Sequence, residues 1–175
     1  MLGVNLREAR CDEGDHLFQR YRETTLVAYA HIFPPELYPF PDAQVRELWR
    51  ALVSESGTKH RLLVAEVDGQ TAGAVTAAPG RLEHLFVVPA CWGRGVADAL
   101  LAAAIQVSRE ASVEVCRLEV LEQNLRARRF YERHGWFRDD RSRVADYPPH
   151  PVVVGYTLHL HTARYRRECE SSPPD

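Results

Sequence analysis

Two glycines spaced by one residue, Gly93 and Gly95, lie between an apolar run that stops at Pro89 and a helical pattern that starts at once. Glycine permits positive φ and leaves the neighbouring amides uncovered. The first turn of a helix offers N–H groups without intrahelical acceptors and a partial positive charge, so it holds phosphate well. Trp92-Gly93-Arg94-Gly95-Val96-Ala97 therefore reads as a turn suited to a pyrophosphate. Two better-known phosphate motifs do not apply. The P-loop ends in Lys-Ser/Thr, and the only lysine of the chain is Lys59. The dinucleotide fingerprint needs a third glycine where Asp98 stands. Taken alone, the spacing also suits a plain strand-to-helix turn whose glycines serve packing.

A carboxylate lies just upstream. Glu83 precedes Leu85 by two residues, so strand alternation puts it on the face of Leu85 and Val87, with His84 on the opposite face. One strand glutamate is more often solvated or ion-paired than chemical. His159 and His161 alternate on a late strand, but no third ligand accompanies them, so no metal site is expected.

The elements that must position these groups follow from periodicity and punctuation. Val4 to Arg10 alternates as a strand, and His16 to Ala30 has helical spacing. Phe33-Pro34-Pro35 and Tyr38-Pro39-Phe40-Pro41 break the helix, leaving an aromatic loop over 31–41 that suits a roof over a second substrate or simple packing on a sheet. Asp42 is placed to cap a second helix carrying Val45, Leu48, Trp49 and Leu52. Arg61 to Val67 and Thr71 to Ala78 flank Asp68-Gly69, a hairpin turn. Leu82 to Val88 is a strand, Gly95 to Val107 a helix and Val115 to Leu121 a strand. Asn124 caps a helix ended by Gly135, and Trp136 to Arg143 and Val152 to Leu160 close the domain as strands. Strands run together early and alternate with helices later, which predicts an α/β domain: a mixed sheet with helices on both faces.

Bulk properties set the outer limits. The 175 residues suffice for one domain, at 45% hydrophobic and 26% charged. A net charge of −2 argues against general nucleic-acid binding. The four cysteines, Cys11, Cys91, Cys116 and Cys169, form no C-x-x-C pair, and no apolar run approaches the roughly 20 residues of a membrane span. No membrane association, a cytoplasmic location and a monomer or homodimer are the expectations. The domain is expected over 4–162, followed by a disordered tail, 163–175.

The sequence resembles the GNAT superfamily, the general-control-related N-acetyltransferases. The first motif of that family is carried here by Trp92-x-x-Gly95-x-Ala97 followed by Ala99-Leu100-Leu101, with Trp92 where the family usually has Gln or Arg. The second is carried by Leu118 to Leu121, Asn124, Ala127, Phe130-Tyr131 and Gly135-Trp136. Together they cover Leu82 to Phe137. The resemblance implies a mostly antiparallel sheet of about six or seven strands, acetyl-CoA as co-substrate without a metal, and direct acetyl transfer to a primary amine of a small molecule, amino acid or peptide. Acyl-CoA binding without turnover, as in a sensor, is the alternative.

By that resemblance Leu85, Phe86 and Val87 pair with the pantetheine arm, and a backbone N–H near Phe86 or Val87 polarises the acyl oxygen. A preorganised donor of this kind is worth roughly 3 kcal/mol. Trp92 to Ala97 take the pyrophosphate, and Asn124 serves as cap and cofactor contact. Tyr131 returns a proton to the thiolate, since a phenol (pKa about 10) and a thiol (about 8.5) are near enough for transfer. Glu83 is the candidate base for the amine. Arg126, Arg128, Arg129 and Arg133 form a basic helix face, largely solvated, from which one arginine can reach the 3′-phosphate.

Overall fold

The computed structural model describes residues 3–160. Among them, seven strands form one sheet in the order β1-β2-β3-β4-β5-β7-β6. Every pairing is antiparallel except β4 with β5. In chain order the elements are β1 (Asn5–Glu8), α1 (Gly14–Ala28), α2 (Asp42–Ser54), β2 (Arg61–Val67), β3 (Gln70–Ala78), β4 (Arg81–Val87), a 3₁₀ turn (Pro89–Cys91), α3 (Val96–Glu110), β5 (Val115–Leu121), α4 (Leu125–Arg133), β6 (Phe137–Val144) and β7 (Val152–His159). The α/β class and the mixed, mostly antiparallel sheet are those the sequence predicts. His161 and the tail beyond it lie outside the described residues.

The first half of the sheet is buried on both sides. Along β2, Leu62 and Val64 join Leu17, Phe18 and Trp49 of α1 and α2. Their neighbours Leu63 and Ala65 join Leu100 and Ala104 of α3 on the opposite face, together with Tyr131 of α4. Alternation along one strand thus feeds two cores. The β2–β3 hairpin turns through Asp68 (φ 51°) and Gly69 (φ 72°), the paired left-handed residues that a two-residue hairpin requires.

In the second half the two faces of β5 differ. In β5, Cys116, Leu118 and Val120 are buried, whereas Arg117 and Glu119 between them are exposed. β6 is the edge strand, and its Phe-Arg-Asp-Asp-Arg-Ser-Arg-Val sequence guards the edge with charge.

Several element ends shift by a few residues, and two of the departures have a plain physical reason. α2 begins at Asp42 itself, behind Pro41, with no side-chain cap. α3 runs on to Glu110, because no glycine or proline follows Val107 and the helix stops only where Ser112 turns left-handed (φ 56°). A third departure matters more for chemistry. β4 pairs Phe86 with Ala74 and Glu83 with Thr76, so three steps of β4 oppose two of β3. This β-bulge falls on His84 and Leu85, and His84 takes a left-handed backbone (φ 48°).

Candidate active site

The bulge overturns the face expected for Glu83. Residues opposite one another in an antiparallel pair share a face, and Ala74 and Thr76 lie on one face of β3, so Glu83 sits with Phe86 on the α1/α2 side. Leu85 and Val87 pack toward α3 on the other side. His84 also turns to the α1/α2 side, with its ring 6.1 Å from that of Trp49. Uninterrupted alternation cannot survive an inserted residue. The sequence does carry a signal for it in the adjoining strand. Gly73 faces Val87, and a Cβ there would collide with the Phe86 carbonyl oxygen. A glycine inside a strand marks such close approaches.

β4 and β5 meet at one point only, Arg81 beside Arg117, where the Arg117 N–H donates to the Gly80 carbonyl at 2.9 Å. β5 pairs with β7 along its whole length, from Val115 to Leu121, so it diverges from β4. The two strands open as a wedge, and the resulting cleft has a volume of about 1270 Å³. The edge of β4 inside the wedge has no ladder partner. Val88 N–H bonds back to Ala72 at 2.9 Å, so the polar groups of Val87 face the open side. The Val87 carbonyl takes the Trp92 indole N–H at 2.6 Å, which leaves the Val87 N–H as the available donor.

At one end of the wedge the chain enters α3 through Gly93 (φ 75°) and Gly95 (φ 80°), with open space around both. Gly95 is the N-cap and no side chain caps the helix; the first intrahelical bond is Ala99 N–H to Gly95 at 3.1 Å. The N–H groups of Val96, Ala97 and Asp98 therefore have no intrahelical acceptor. Trp92, Gly93, Gly95, Val96 and Ala97 line the cleft, as do Leu85, Phe86, Val87, Asn124, Glu83 and Tyr131. Arg94 stands off the wall, its side chain turned back to the Ala90 carbonyl.

Each polar group on the wall has a definite setting. Asn124 caps α4, its Oδ1 accepting the Ala127 N–H at 3.1 Å, while its Nδ2 reaches the Tyr29 hydroxyl at 3.4 Å. Tyr131 is buried beside Phe130 and Trp136, and burial alone pushes its pKa well above that of an ordinary phenol. The Arg81 guanidinium pairs with Glu83 Oε1 at 2.6 Å. Burial lowers the pKa of His84. Of the basic face on α4, Arg128 turns inward to Tyr156 and the Glu122 carbonyl. Arg126, Arg129 and Arg133 remain on the cleft wall.

The walls carry seven arginines against three acids, in a chain whose net charge is −2. Such a local excess draws anions into a cleft. The aromatic loop divides its residues: Phe40 packs on Phe18, whereas Phe33 touches Tyr29 at 6.3 Å and Tyr147 at 6.1 Å between ring centroids. His84, Tyr29, Arg117 and Tyr147 are wall residues that sequence reasoning missed: the bulge places His84, contacts with Phe33 place Tyr29 and Tyr147, and the splay of β5 from β4 opens the cleft beside Arg117. His159 stacks on Phe137, and among the described residues no group of three His, Cys, Asp or Glu is placed to hold a metal ion. No helix among them is long and apolar enough to cross a membrane.

A splayed sheet with a free strand edge, a helix N-terminus at one end and a buried phenol beside it define a cleft for a long, anionic, strand-like ligand. Comparison with known proteins gives the class. Residues 26–136 match the Acetyltransferase (GNAT) family, and the chain belongs to that family. An uncharacterized N-acetyltransferase of Archaeoglobus fulgidus is 32% identical over 98 residues, which is 50% of this chain and 65% of the relative, just under two thirds of its length. Two solved structures share the fold. The PaiA N-acetyltransferase of Thermoplasma acidophilum, in complex with coenzyme A, superposes with a TM-score of 0.69 at 20% identity, over 88% of this chain and 98% of that one. A GCN5-related N-acetyltransferase of Rhodopseudomonas palustris gives 0.74 at 14% identity, over 91% and 98%.

Proposed function

We propose that this chain transfers the acetyl group of acetyl-CoA directly to a primary amine, with both substrates bound together. The observation that carries the reading is the wedge itself: a free β4 edge runs from the uncapped turn of α3 past Tyr131. The N–H groups of Gly93 to Ala97 hold the pyrophosphate, and the β4 edge at Leu85 to Val87 pairs with the pantetheine amides as an added strand would. Val87 N–H donates to the acyl oxygen, where negative charge develops. Asn124 fixes the start of α4 and so the position of Tyr131.

The amine attacks the thioester carbonyl from the α1/α2 side. Glu83, through its oxygen not engaged by Arg81, takes the proton the nitrogen loses. As the carbon–sulfur bond breaks, Tyr131 gives its phenolic proton to the departing thiolate. Burial raises the pKa of Tyr131, so the phenol stays protonated at neutral pH and has the proton to give. His84 is the second reading for the base. It sits on the same bulge and turns its ring to the same α1/α2 side as Glu83. Among the described residues Cys11, Cys91 and Cys116 form no disulfide, which suits a reducing, cytoplasmic setting for this chemistry, carried out by a monomer or homodimer.

The test combines two measurements: calorimetric titration with coenzyme A, and thiol release from acetyl-CoA across amines, amino acids and peptides. Release above the hydrolysis rate with at least one amine supports transfer. Tight binding with no release from any of them supports a non-catalytic acyl-CoA sensor.

A further inference from the structure

The acceptor side of the wedge has its own chemistry. β5 turns Arg117 and Glu119 toward the face that no helix covers, and β6 adds Arg141 and Arg143 above the same face. Four arginines therefore surround the place from which an amine must approach: Arg81, Arg117, Arg141 and Arg143. Three of them are matched. Arg81 pairs with Glu83, Arg141 with Asp139, and Arg143 with Glu119 at 2.8 Å. Arg117 has no acid partner among the described residues, and its side chain is exposed into the cleft.

Its position is informative. Arg117 lies level with Arg81 at the point of the wedge, two residues below Glu83 along β4. Two residues of extended strand are about 7 Å. An arginine side chain spans much of that distance. A ligand with its amine at Glu83 can thus place an anion against Arg117 only a few ångströms from the nitrogen. Guanidinium and carboxylate match as a two-pronged pair, which makes an unmatched arginine in a cleft a specific receptor for that group.

The same side is bridged overhead. Phe33, from the loop between α1 and α2, inserts between Tyr29 and Tyr147, the latter from the loop between β6 and β7. His31 adds a second tie across the gap, with its Nε2 3.3 Å from the Gln123 carbonyl. These contacts join the two sides of the wedge beside the acceptor face.

We propose that the acceptor is a small amine carrying a carboxylate close to its nitrogen, an α-amino acid in the simplest case, with Arg117 as the residue that reads the carboxylate. This rests on the acetyl-transfer reading above. In it, Glu83 relieves the nitrogen of its proton while Arg117 holds the other end, so orientation comes from charge at both ends of a short molecule.

The experiment compares thiol release from acetyl-CoA with free amino acids, their carboxamides, the corresponding decarboxylated amines and a six-residue peptide with a free N-terminus. For the best acceptor, the wild-type chain should show kcat/KM at least tenfold higher with the free acid than with the amide or decarboxylated amine. Arg117→Gln should erase that gap mainly through KM, and Arg117→Lys should restore part of it. Arg117 makes no side-chain contact that folding needs, and an unchanged melting temperature would verify this. Equal rates for acid and amide, an acid preference that survives Arg117→Gln, or a peptide that outperforms every amino acid would each overturn the inference while leaving acetyl transfer intact. Coenzyme A binding without release from any amine would instead overturn the transfer reading, and this inference with it.

Discussion

The guanidinium of Arg126 lies 3.8 Å above the ring of Trp92, while the indole N–H of that same Trp92 donates to the Val87 carbonyl at 2.6 Å. One aromatic side chain thus links the start of α4 to the open edge of β4 across the entrance to α3. Where the family usually has Gln or Arg, this chain places the cation on the next helix and uses the tryptophan as its platform. Arg126 is exposed, and a cation–π contact at an exposed site is worth about 0.5–1 kcal/mol.

In the proposed binding mode this charge lies beside the turn that takes the pyrophosphate, so its removal should be felt in cofactor affinity. Arg126→Ala is expected to raise the Kd for coenzyme A about tenfold, with a weaker salt dependence than wild type because one charge contact is lost. Trp92→Phe keeps a ring but loses the bond to Val87, and should fall between the two. Titration calorimetry at two salt concentrations checks both. An affinity untouched by Arg126→Ala would mean that the arginine only covers the tryptophan.

Tyr131 offers a cleaner separation of binding from chemistry. Its ring is packed among Phe130, Trp136 and Tyr156, contacts that phenylalanine retains. Tyr131→Phe should therefore fold normally and bind coenzyme A like wild type, yet lose at least tenfold in kcat. The pH dependence has a definite sign. Burial raises the pKa of the phenol, so any fall in kcat caused by its ionisation must begin above the ordinary value of about 10. A kcat equal to wild type would take Tyr131 out of the proton transfer.

Much of this architecture is legible in the residues. Asn124, three positions ahead of the N–H it caps, announces the start of α4, and Asp68-Gly69 announces the β2–β3 hairpin. Gly93 and Gly95 adopt the positive φ that the spacing implies. What stayed hidden depends on contacts between distant segments. The bulge at His84 inserts one residue into a strand whose sequence still alternates acceptably, and only Gly73, in a different strand, hints that a backbone must come close. The Trp92–Arg126 stack joins residues 34 positions apart by number, and the Phe33–Tyr147 contact joins two loops from opposite ends of the chain. No local pattern encodes such pairs. They follow from how the wedge brings its two sides together.

The base is where the bulge has its sharpest consequence. Both Glu83 and His84 face the α1/α2 side, from which the proposed mechanism brings the amine, but they differ in state. Glu83 keeps one oxygen free beside its ion pair with Arg81. His84 is held neutral mainly by burial, with His60 and Arg81 acting in the same direction and Glu83 opposing them. The pH profile of kcat/KM distinguishes them. Glu83→Gln is expected to lower kcat/KM at neutral pH at least tenfold and to remove the acid limb, whereas His84→Gln should leave that limb in place. If Glu83→Gln leaves the profile intact, the role passes to His84. The limb must then lie below the ordinary imidazole value of about 6.5, because burial lowers its pKa, and it should vanish in His84→Gln. Arg81→Gln serves as the control. With Arg81 gone, one cation no longer opposes protonation of His84, so an imidazole limb would shift up and would still disappear with His84→Gln alone.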